Sequence, residues 1–223
     1  MKKKNYLRLL GLFLVFLFPH INTIADEPRN KGISFRWAFL CISKESIINP
    51  VDYDTSIQYI KQGDRIKIYI NPLENVYIYL LHKDAGGNLH LLFPANLHFS
   101  SQVYVLGRDY YVPRGDEFIS PGVFSGEETF YFIAADSRLI KLESLIKKYF
   151  SHSRANNTGK LETQQAVITH IKRLIQEHSS FTPSKSKIVT FAGRFRGTEE
   201  MLEFPVLKIE ADKFYSLTVR ISY

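Results

Sequence analysis

The segment at residues 76–94, VYIYLLHKDAGGNLHLLFP, fixes more of the fold than any other part of the sequence. Two apolar runs flank a polar tip that contains the adjacent glycines Gly86 and Gly87. Glycine adopts a positive φ at little steric cost, which suits the bend of a hairpin of moderate length. The sequence therefore predicts two antiparallel neighbouring strands, the second of which ends at Pro94 because proline cannot donate to a strand ladder.

The polar tip of this hairpin is predicted as a bend and not as a ligand loop. Asp84, Gly86 and Asn88 share their spacing with part of a calcium loop. The other acidic positions and the terminal glutamate of such a loop are missing. No metal is therefore assigned to the tip.

Side-chain alternation predicts how many faces of each strand are covered. In RIKIYIN three isoleucines alternate with Arg65 and Lys67, so this strand is expected to bury one face and to turn Arg65 and Lys67 to water before it stops at Asn71-Pro72. In the segments 76–81 and 129–135, the even-numbered and the odd-numbered positions are both largely apolar, so neither face of the strand is polar. These two strands are therefore expected to be covered on both sides.

Other segments complete a β-rich chain. SFRWAFLCIS places Cys41 on the same strand face as three aromatic side chains. Short strands are also expected around 103–105 and 109–112, and longer ones in the C-terminal region 187–223. Helical spacing predicts one helix that begins near Asp136 or Ser137 and a second after the polar linker SHSRANNTGK. Their apolar faces comprise Leu139, Leu142, Leu145, Ile146, Tyr149 and Phe150 in the first, and Val167, Ile168, Ile171, Leu174 and Ile175 in the second.

The predicted fold class is α+β: a β-rich, sandwich-like, mainly antiparallel sheet with about two covering helices. It is preceded by a signal peptide at residues 1–25. Lys2, Lys3, Lys4 and Arg8 come before an apolar core of ten residues, and small residues precede a plausible cut after Ala25. The core is too short to span a bilayer, although an uncleaved segment could still act as an anchor. Residues 26–223 are expected to form one domain, exported to the periplasm or secreted.

Removal of the signal peptide lowers the net charge of the protein. Of the 29 Lys and Arg residues, four lie in residues 1–25, which hold none of the 22 acidic residues. The remaining 25 basic residues give a net charge of only +3, which argues against nucleic-acid binding. A single cysteine cannot form an internal disulfide, even in an oxidising compartment.

Several short motifs follow one another in a definite order: Gly63-Asp64, the Tyr-rich strand 77–81, the 84–87 tip, Leu92-Phe93-Pro94, Val112-Pro113, Gly126-Glu127-Glu128 and Ile133-Ala134. This order resembles that of the exported bacterial domain of unknown function 4384. The resemblance covers about 60–147, followed by a helical linker region at about 148–180 and C-terminal strands at about 187–223. It implies an accessory or recognition module, and it supplies no catalytic residues.

Several isolated residues have side chains that could carry chemistry. Cys41 is expected to be a buried apolar side chain, and Ser125 lacks the spacing of a nucleophile elbow. His82 and His90 could meet across the hairpin, but a metal site needs a third ligand. Adjacent Glu127 and Glu128 should face opposite sides of a strand, which disfavours an acid–base pair.

Three further surface features have ordinary structural explanations. Arg114-Gly115-Asp116 matches the integrin-binding tripeptide but fits a loop that the fold needs. Arg194 and Arg196 could bind an anion or could simply lie at a hairpin tip. A set of tyrosines could form a glycan surface or belong to the core: Tyr77, Tyr79, Tyr104, Tyr110 and Tyr111.

The sequence therefore predicts a non-catalytic exported recognition or accessory domain at the cell envelope, whose partner is another envelope protein. It assigns no catalytic residue, cofactor or metal. The alternatives are an envelope hydrolase built on Cys41, Ser125 and a distant histidine, or a carbohydrate-binding module.

Overall fold

The computed structural model describes residues 32–43, 48–50, 57–61, 63–74, 76–97, 105–120, 126–155, 159–179, 185–193 and 202–222. The predicted signal peptide lies outside them. The strands are β1 (Ile33–Ile42), β2 (Ile48–Pro50), β3 (Ile57–Tyr59), β4 (Arg65–Pro72), β5 (Tyr77–Lys83), β6 (Leu89–Phe93), β7 (Tyr110–Val112), β8 (Glu127–Ala135), β9 (Lys185–Gly193), β10 (Leu202–Ala211) and β11 (Phe214–Ser222). The helices are α1 (Ile140–Ala155) and α2 (Lys160–His178).

These strands form two sheets. The first has the order β7-β4-β1-β10-β9, and β2 also pairs with β1. The second has the order β3-β11-β8-β5-β6. All pairings are antiparallel except that of β3 with β11, which is parallel. The prediction of a β-rich, mainly antiparallel fold with two helices is confirmed.

The main hydrophobic core lies between the two sheets. Trp37 of β1 stacks on Phe132 of β8 with ring centroids 4.5 Å apart, and Phe39 meets Phe130 edge to face at 5.0 Å. The isoleucines of β4 and alternate residues of β5 fill the rest of this layer. The predicted inward face of β1 is therefore confirmed at its aromatic positions.

A second core separates the outer face of the β3-β11-β8-β5-β6 sheet from the helices. Tyr79 and Leu81 of β5 and Ile133 of β8 pack against the apolar faces of α1 and α2. The two helices thus cover one face of this sheet, as predicted, and β5 and β8 are buried on both sides.

The structure differs from the predicted secondary structure in three places. Helix α1 begins at Ile140 rather than at Asp136 or Ser137, and it runs to Ala155, so the first half of the predicted linker is helical. The short strand expected at 103–105 is not formed at Val105, and its other two residues lie outside the described part of the chain. The short strands β2 and β3 form where no strand was predicted.

The prediction that Lys67 faces water is wrong. Its side chain is 1% exposed because residues 113–120 cover that face of β4. Arg65, which was predicted in the same way, is exposed. Alternation correctly assigned Lys67 to the face opposite the isoleucines but could not show that a loop covers that face.

Candidate functional site

The hairpin of β5 and β6 is held at its tip by its own polar residues. Gly87 has a φ of 83°, and its amide donates to the Asp84 carbonyl at 2.9 Å. The Asp84 carboxylate accepts from the Asn88 amide at 2.6 Å, so its oxygens close the turn. The predicted bend is confirmed, and the carboxylate that resembled a calcium ligand is engaged within it.

Helix α2 fixes the same tip from outside. Lys160 donates to the side-chain oxygen of Asn88 at 2.7 Å, and the side chain of Gln164 donates to the carbonyl of Gly87. From α1, the Tyr149 hydroxyl accepts from the Leu89 amide at 3.0 Å. Both helices therefore position the hairpin.

Beside the tip, two histidines face each other, each with its own carboxylate. His82 and His90 are directly paired across β5 and β6, with ring centroids 5.7 Å apart. His82 Nε2 lies 2.7 Å from Glu128 Oε2, and His90 Nε2 lies 2.9 Å from Asp84 Oδ2. The His82 ring also stacks on Phe130 at 4.2 Å. We call these four residues, His82, Glu128, His90 and Asp84, the histidine cluster.

The two halves of the histidine cluster differ in their exposure to water. The side chains of His82 and Glu128 are 9% and 3% exposed, whereas that of His90 is 48% exposed. Burial alone would raise the pKa of Asp84, but hydrogen bonds from His90 and Asn88 hold it below its ordinary value. The cluster thus opens to solvent through His90 and is anchored in the core through His82.

The meeting of His82 with His90 and the opposed faces of Glu127 and Glu128 are both as predicted. The contact between His82 and Glu128 was not predicted. It depends on the pairing of β5 with β8, whose residues are separated by more than forty positions. No signal in the local sequence indicates that pairing. Within the described ranges, no group of three or more His, Cys, Asp or Glu residues could hold a metal ion.

Lys67 anchors the loop that carries the Arg114-Gly115-Asp116 tripeptide. Its ammonium group donates to the carbonyls of Gly115 at 2.8 Å and Glu117 at 2.6 Å. Burial lowers the pKa of Lys67 below its ordinary value, an effect that the nearby Asp116 and Glu117 carboxylates oppose. The tripeptide is exposed, and its glycine has a φ of 65°, so it forms a turn that β4 holds in place.

The same face of β4 binds a second part of the covering segment. Asp109 accepts hydrogen bonds from the Tyr69 hydroxyl at 2.7 Å and from the Asn71 side chain at 2.6 Å. Burial is the main cause that raises the pKa of Tyr69, and Asp109 adds to the effect. This polar row is therefore structural, since it ties Gly107 and Asp109 of the covering segment to β4.

Cys41 lies in the environment predicted for it. The thiol is 8% exposed and lies 3.6 Å from Asp64 Oδ2. Burial, and then the charge of Asp64, raise the pKa of Cys41 to about 12. The thiolate that a hydrolase nucleophile requires is thus disfavoured. Ser125, its proposed companion, lies outside the described residues.

The tyrosines proposed as a glycan surface belong largely to the protein interior. Tyr79 is buried, and its hydroxyl donates to Glu143 at 2.7 Å. Tyr110 and Tyr111 are half-buried and pack against neighbouring apolar clusters, as does Tyr77. Tyr104 lies outside the described residues, as do Arg194 and Arg196.

Strand β9 provides the longest open sheet edge in the described part of the chain. Its nine residues pair with β10 from Lys185 to Gly193, and β9 ends the strand order of its sheet. The other edges are formed by β7 and β3, with three residues each, and β6, with five. An unpaired strand edge presents a row of backbone donors and acceptors to another chain.

Two packed sheets with a helix pair on one outer face define a β-sandwich module with a helical layer. The family model described as Domain of unknown function (DUF4384) matches residues 59–138 of this chain, which confirms the predicted resemblance over that segment. The match contains the histidine cluster, but β1 and β9–β11, which complete the two sheets, lie outside it. No curated protein and no solved structure matches the chain. Neither described helix has the length and hydropathy needed to cross a membrane.

Proposed function

We propose that this protein is an exported, non-catalytic recognition module that binds another protein of the cell envelope by accepting an extended segment along β9. The observation that carries the proposal is the nine-residue edge of β9, paired on one side only among the described residues. Strand addition to such an edge provides affinity through main-chain hydrogen bonds. The basic, apolar N-terminal segment supports export.

The register indicates which amides of β9 point to the open edge. The Ser34 carbonyl accepts from the amides of Leu73 and Glu74, so at Ser34 the backbone of β1 bonds towards β4. Because bonding directions alternate along a strand, Trp37 bonds towards β10, at its partner Leu207. The residues of β10 on either side of Leu207 must then bond towards β9.

The same alternation continues onto β9. Ile188 is opposite Leu207, whose backbone bonds towards β1, so Ile188 directs its own amide away from β10. Ser186 and Thr190 share this parity. Thr190 is opposite Pro205, which has the same parity as Leu207 and therefore also faces β1 rather than β9. An incoming strand would therefore bond to Ser186, Ile188 and Thr190.

This orientation allows a proline test that leaves the native ladder intact. In Thr190→Pro the amide facing the open edge is removed, whereas the bonds between β9 and β10 are kept. Thr190→Ala is the matched control because it retains the amide.

A photo-crosslinking amino acid at position 185 reports contact with a partner in the cells that make the protein. The same probe at position 172 on α2 is the position control.

We expect a discrete heterologous adduct from position 185 in the wild type and in Thr190→Ala, and about tenfold less in Thr190→Pro. Position 172 should give no adduct of that size. Unfolding curves verify that each variant is folded, and Ser186→Pro serves as the second variant if Thr190→Pro is not. An adduct that persists unchanged in a folded proline variant, or one with the mass of two copies of this chain, would contradict the proposal.

A further inference from the structure

We propose that the groove between α1 and α2 binds a free aliphatic monocarboxylate, with the carboxylate at His170 and the chain along the two helices. The groove has a volume of about 790 Å³. Sites for small molecules commonly have volumes of about 300–1,000 Å³. This inference is independent of the proposed function, because the groove lies on the helical layer and not on β9.

The groove follows the contact between two adjacent antiparallel helices. Only residues 156–159 separate α1 from α2, and the two helices pack against each other. Lys141, at the start of α1, therefore lies at the same end of the groove as His170 and Arg173 of α2, and all three residues line it. From Arg173 the groove extends along α2 to Leu161, about 18 Å away along the helix axis.

His170 provides a hydrogen-bond donor to this end of the groove. The residue is 8% exposed, and its Nδ1 atom lies 2.9 Å from Nη2 of Arg173. Because a guanidinium group only donates, Nδ1 accepts this bond, and the hydrogen of the neutral ring is on Nε2. Among the described residues Nε2 has no partner, and it is not sealed from solvent. A carboxylate in the groove would supply the missing acceptor.

The protonation state of His170 follows from its surroundings. Burial, followed by the charges of Arg173 and Lys141, lowers the pKa of His170, and Glu177 opposes this effect. The ring is therefore neutral at neutral pH, with one N–H group to donate. The same result shows that the charges of Arg173 and Lys141 both reach the position of His170.

The charges at this end of the groove match one carboxylate. Lys141 and Arg173 are exposed cations. Within the described ranges only Arg173 has an acidic partner, Glu177, whose Oε1 lies 3.3 Å from Arg173 Nε. Two cations and one carboxylate leave a net charge of +1, which a monoanion balances. The remaining N–H groups of Arg173 are available to that anion.

Apolar side chains continue the groove beyond the cationic end. Leu145 of α1 and Ala166 of α2 line it, as does Leu161, which is 73% exposed. An aliphatic chain that covers these side chains removes apolar surface from water, which favours binding. Glu162 lies at the far end beside Leu161, so a second carboxylate on the ligand would meet a like charge there. The groove therefore favours a monocarboxylate over a dicarboxylate.

The test titrates the purified full chain in a calorimeter with decanoate below its micelle concentration. We expect saturable binding of one decanoate per chain. Decan-1-ol has the same chain without the charge, and acetate has the charge without the chain. Each should bind at least about tenfold more weakly than decanoate, because each lacks one of the two contributions.

Charge variants locate the site. Arg173→Gln should lower the affinity for decanoate by about tenfold, because it removes a charged donor. Lys172→Gln is the matched control: Lys172 is an exposed lysine of α2 that does not line the groove, and this variant should bind as the wild type does. Unfolding curves verify that both variants are folded.

The imidazole nitrogen resonances of the wild type provide a second readout, which does not depend on any variant. Decanoate should shift Nε2 of His170, which keeps its hydrogen, and should leave the resonances of the buried His82 unchanged. Equal affinity for decanoate and decan-1-ol, unchanged affinity in folded Arg173→Gln, or binding of decanoate without a shift at His170 would each overturn the proposal. An absence of saturable binding would overturn it as well.

Discussion

The ammonium group of Lys67 is buried beneath a loop and has two carbonyl partners, those of Gly115 and Glu117. Hydrogen bonds to charged groups contribute more than neutral ones, and a buried carbonyl without a donor is costly. Lys67→Met should therefore lower the free energy of unfolding by about 1–3 kcal/mol. Limited proteolysis should find new cleavage between residues 113 and 120.

Lys172→Met is the control for this prediction, because Lys172 is an exposed lysine on α2. Its free energy of unfolding should change by no more than about 0.5 kcal/mol. If Lys67→Met is as stable as the wild type in urea unfolding, the cost of burying the cation equals the benefit of its two hydrogen bonds.

The thiol of Cys41 should be unreactive in the folded protein. Burial raises its pKa from the ordinary 9.0 to about 12, so little thiolate exists at pH 8. A thiol reagent at that pH should modify Cys41 at the rate of unfolding and rapidly in denaturant. Fast modification of the folded protein would show that the thiol is accessible and ionised.

The same pKa difference predicts a loss of stability in alkali. The folded protein keeps the thiol proton that the unfolded chain releases above pH 9.0, so the contribution of Cys41 is complete below pH 9.0 and is lost as the pH rises to about 12. Tyr111, whose pKa burial raises to about 12, acts in the same direction. Cys41→Ala should lose less stability over this interval than the wild type, as measured by urea unfolding at successive pH values.

At the scale of secondary-structure elements, a buried polar network fixes the start of α1. The Tyr79 hydroxyl donates to Glu143 at 2.7 Å and accepts from the Leu139 amide at 3.1 Å, and Arg138 pairs with the same glutamate. Tyr79→Phe removes the hydroxyl that donates to Glu143 and accepts from the Leu139 amide, and only Arg138 of these partners still contacts the glutamate. The free energy of unfolding should fall by about 1–3 kcal/mol, while Tyr77→Phe on the same strand should have little effect.

Both variants are compared by thermal and urea unfolding, and the loss should appear as a lower midpoint with the same denaturant slope. Equal stability of Tyr79→Phe and Tyr77→Phe would show that the network does not hold α1. This network also accompanies the shifted helix boundary: the Leu139 amide donates to a strand tyrosine, and the Leu139 carbonyl accepts the first helical bond, from Glu143, so Leu139 lies immediately before the first helical residue.

Local pattern was sufficient to predict the longer strands and both helices, but it missed the short strands β2 and β3 and did not indicate which partners the strands would have. The period of two in β1 and β5 and the helical spacing in α2 are properties of adjacent residues, and each was predicted correctly. The pairing of β5 with β8, and of β1 with β10, joins residues far apart in the chain. The His82–Glu128 contact and the cover over Lys67 arise from such distant neighbours and were missed for that reason.

For the whole molecule, the proposed export is tested independently of binding. A reporter that is active only outside the cytoplasm, fused after residue 31, should be active. The variant with Leu9–Phe18 interrupted by two aspartates should be inactive, because the apolar core of a signal segment cannot then insert. Activity of the interrupted fusion, or a wild-type reporter retained in the cytosol, would contradict export.

The central claim is that another envelope protein pairs with the open edge of β9. Its most direct test is amide hydrogen exchange on the complex isolated through the position-185 adduct, compared with the free protein. We expect slowed exchange at Ser186, Ile188 and Thr190, with the amides that already bond to β10 unchanged. Protection that spares these three amides and appears instead on the helices or on the β5–β6 hairpin would contradict the claim.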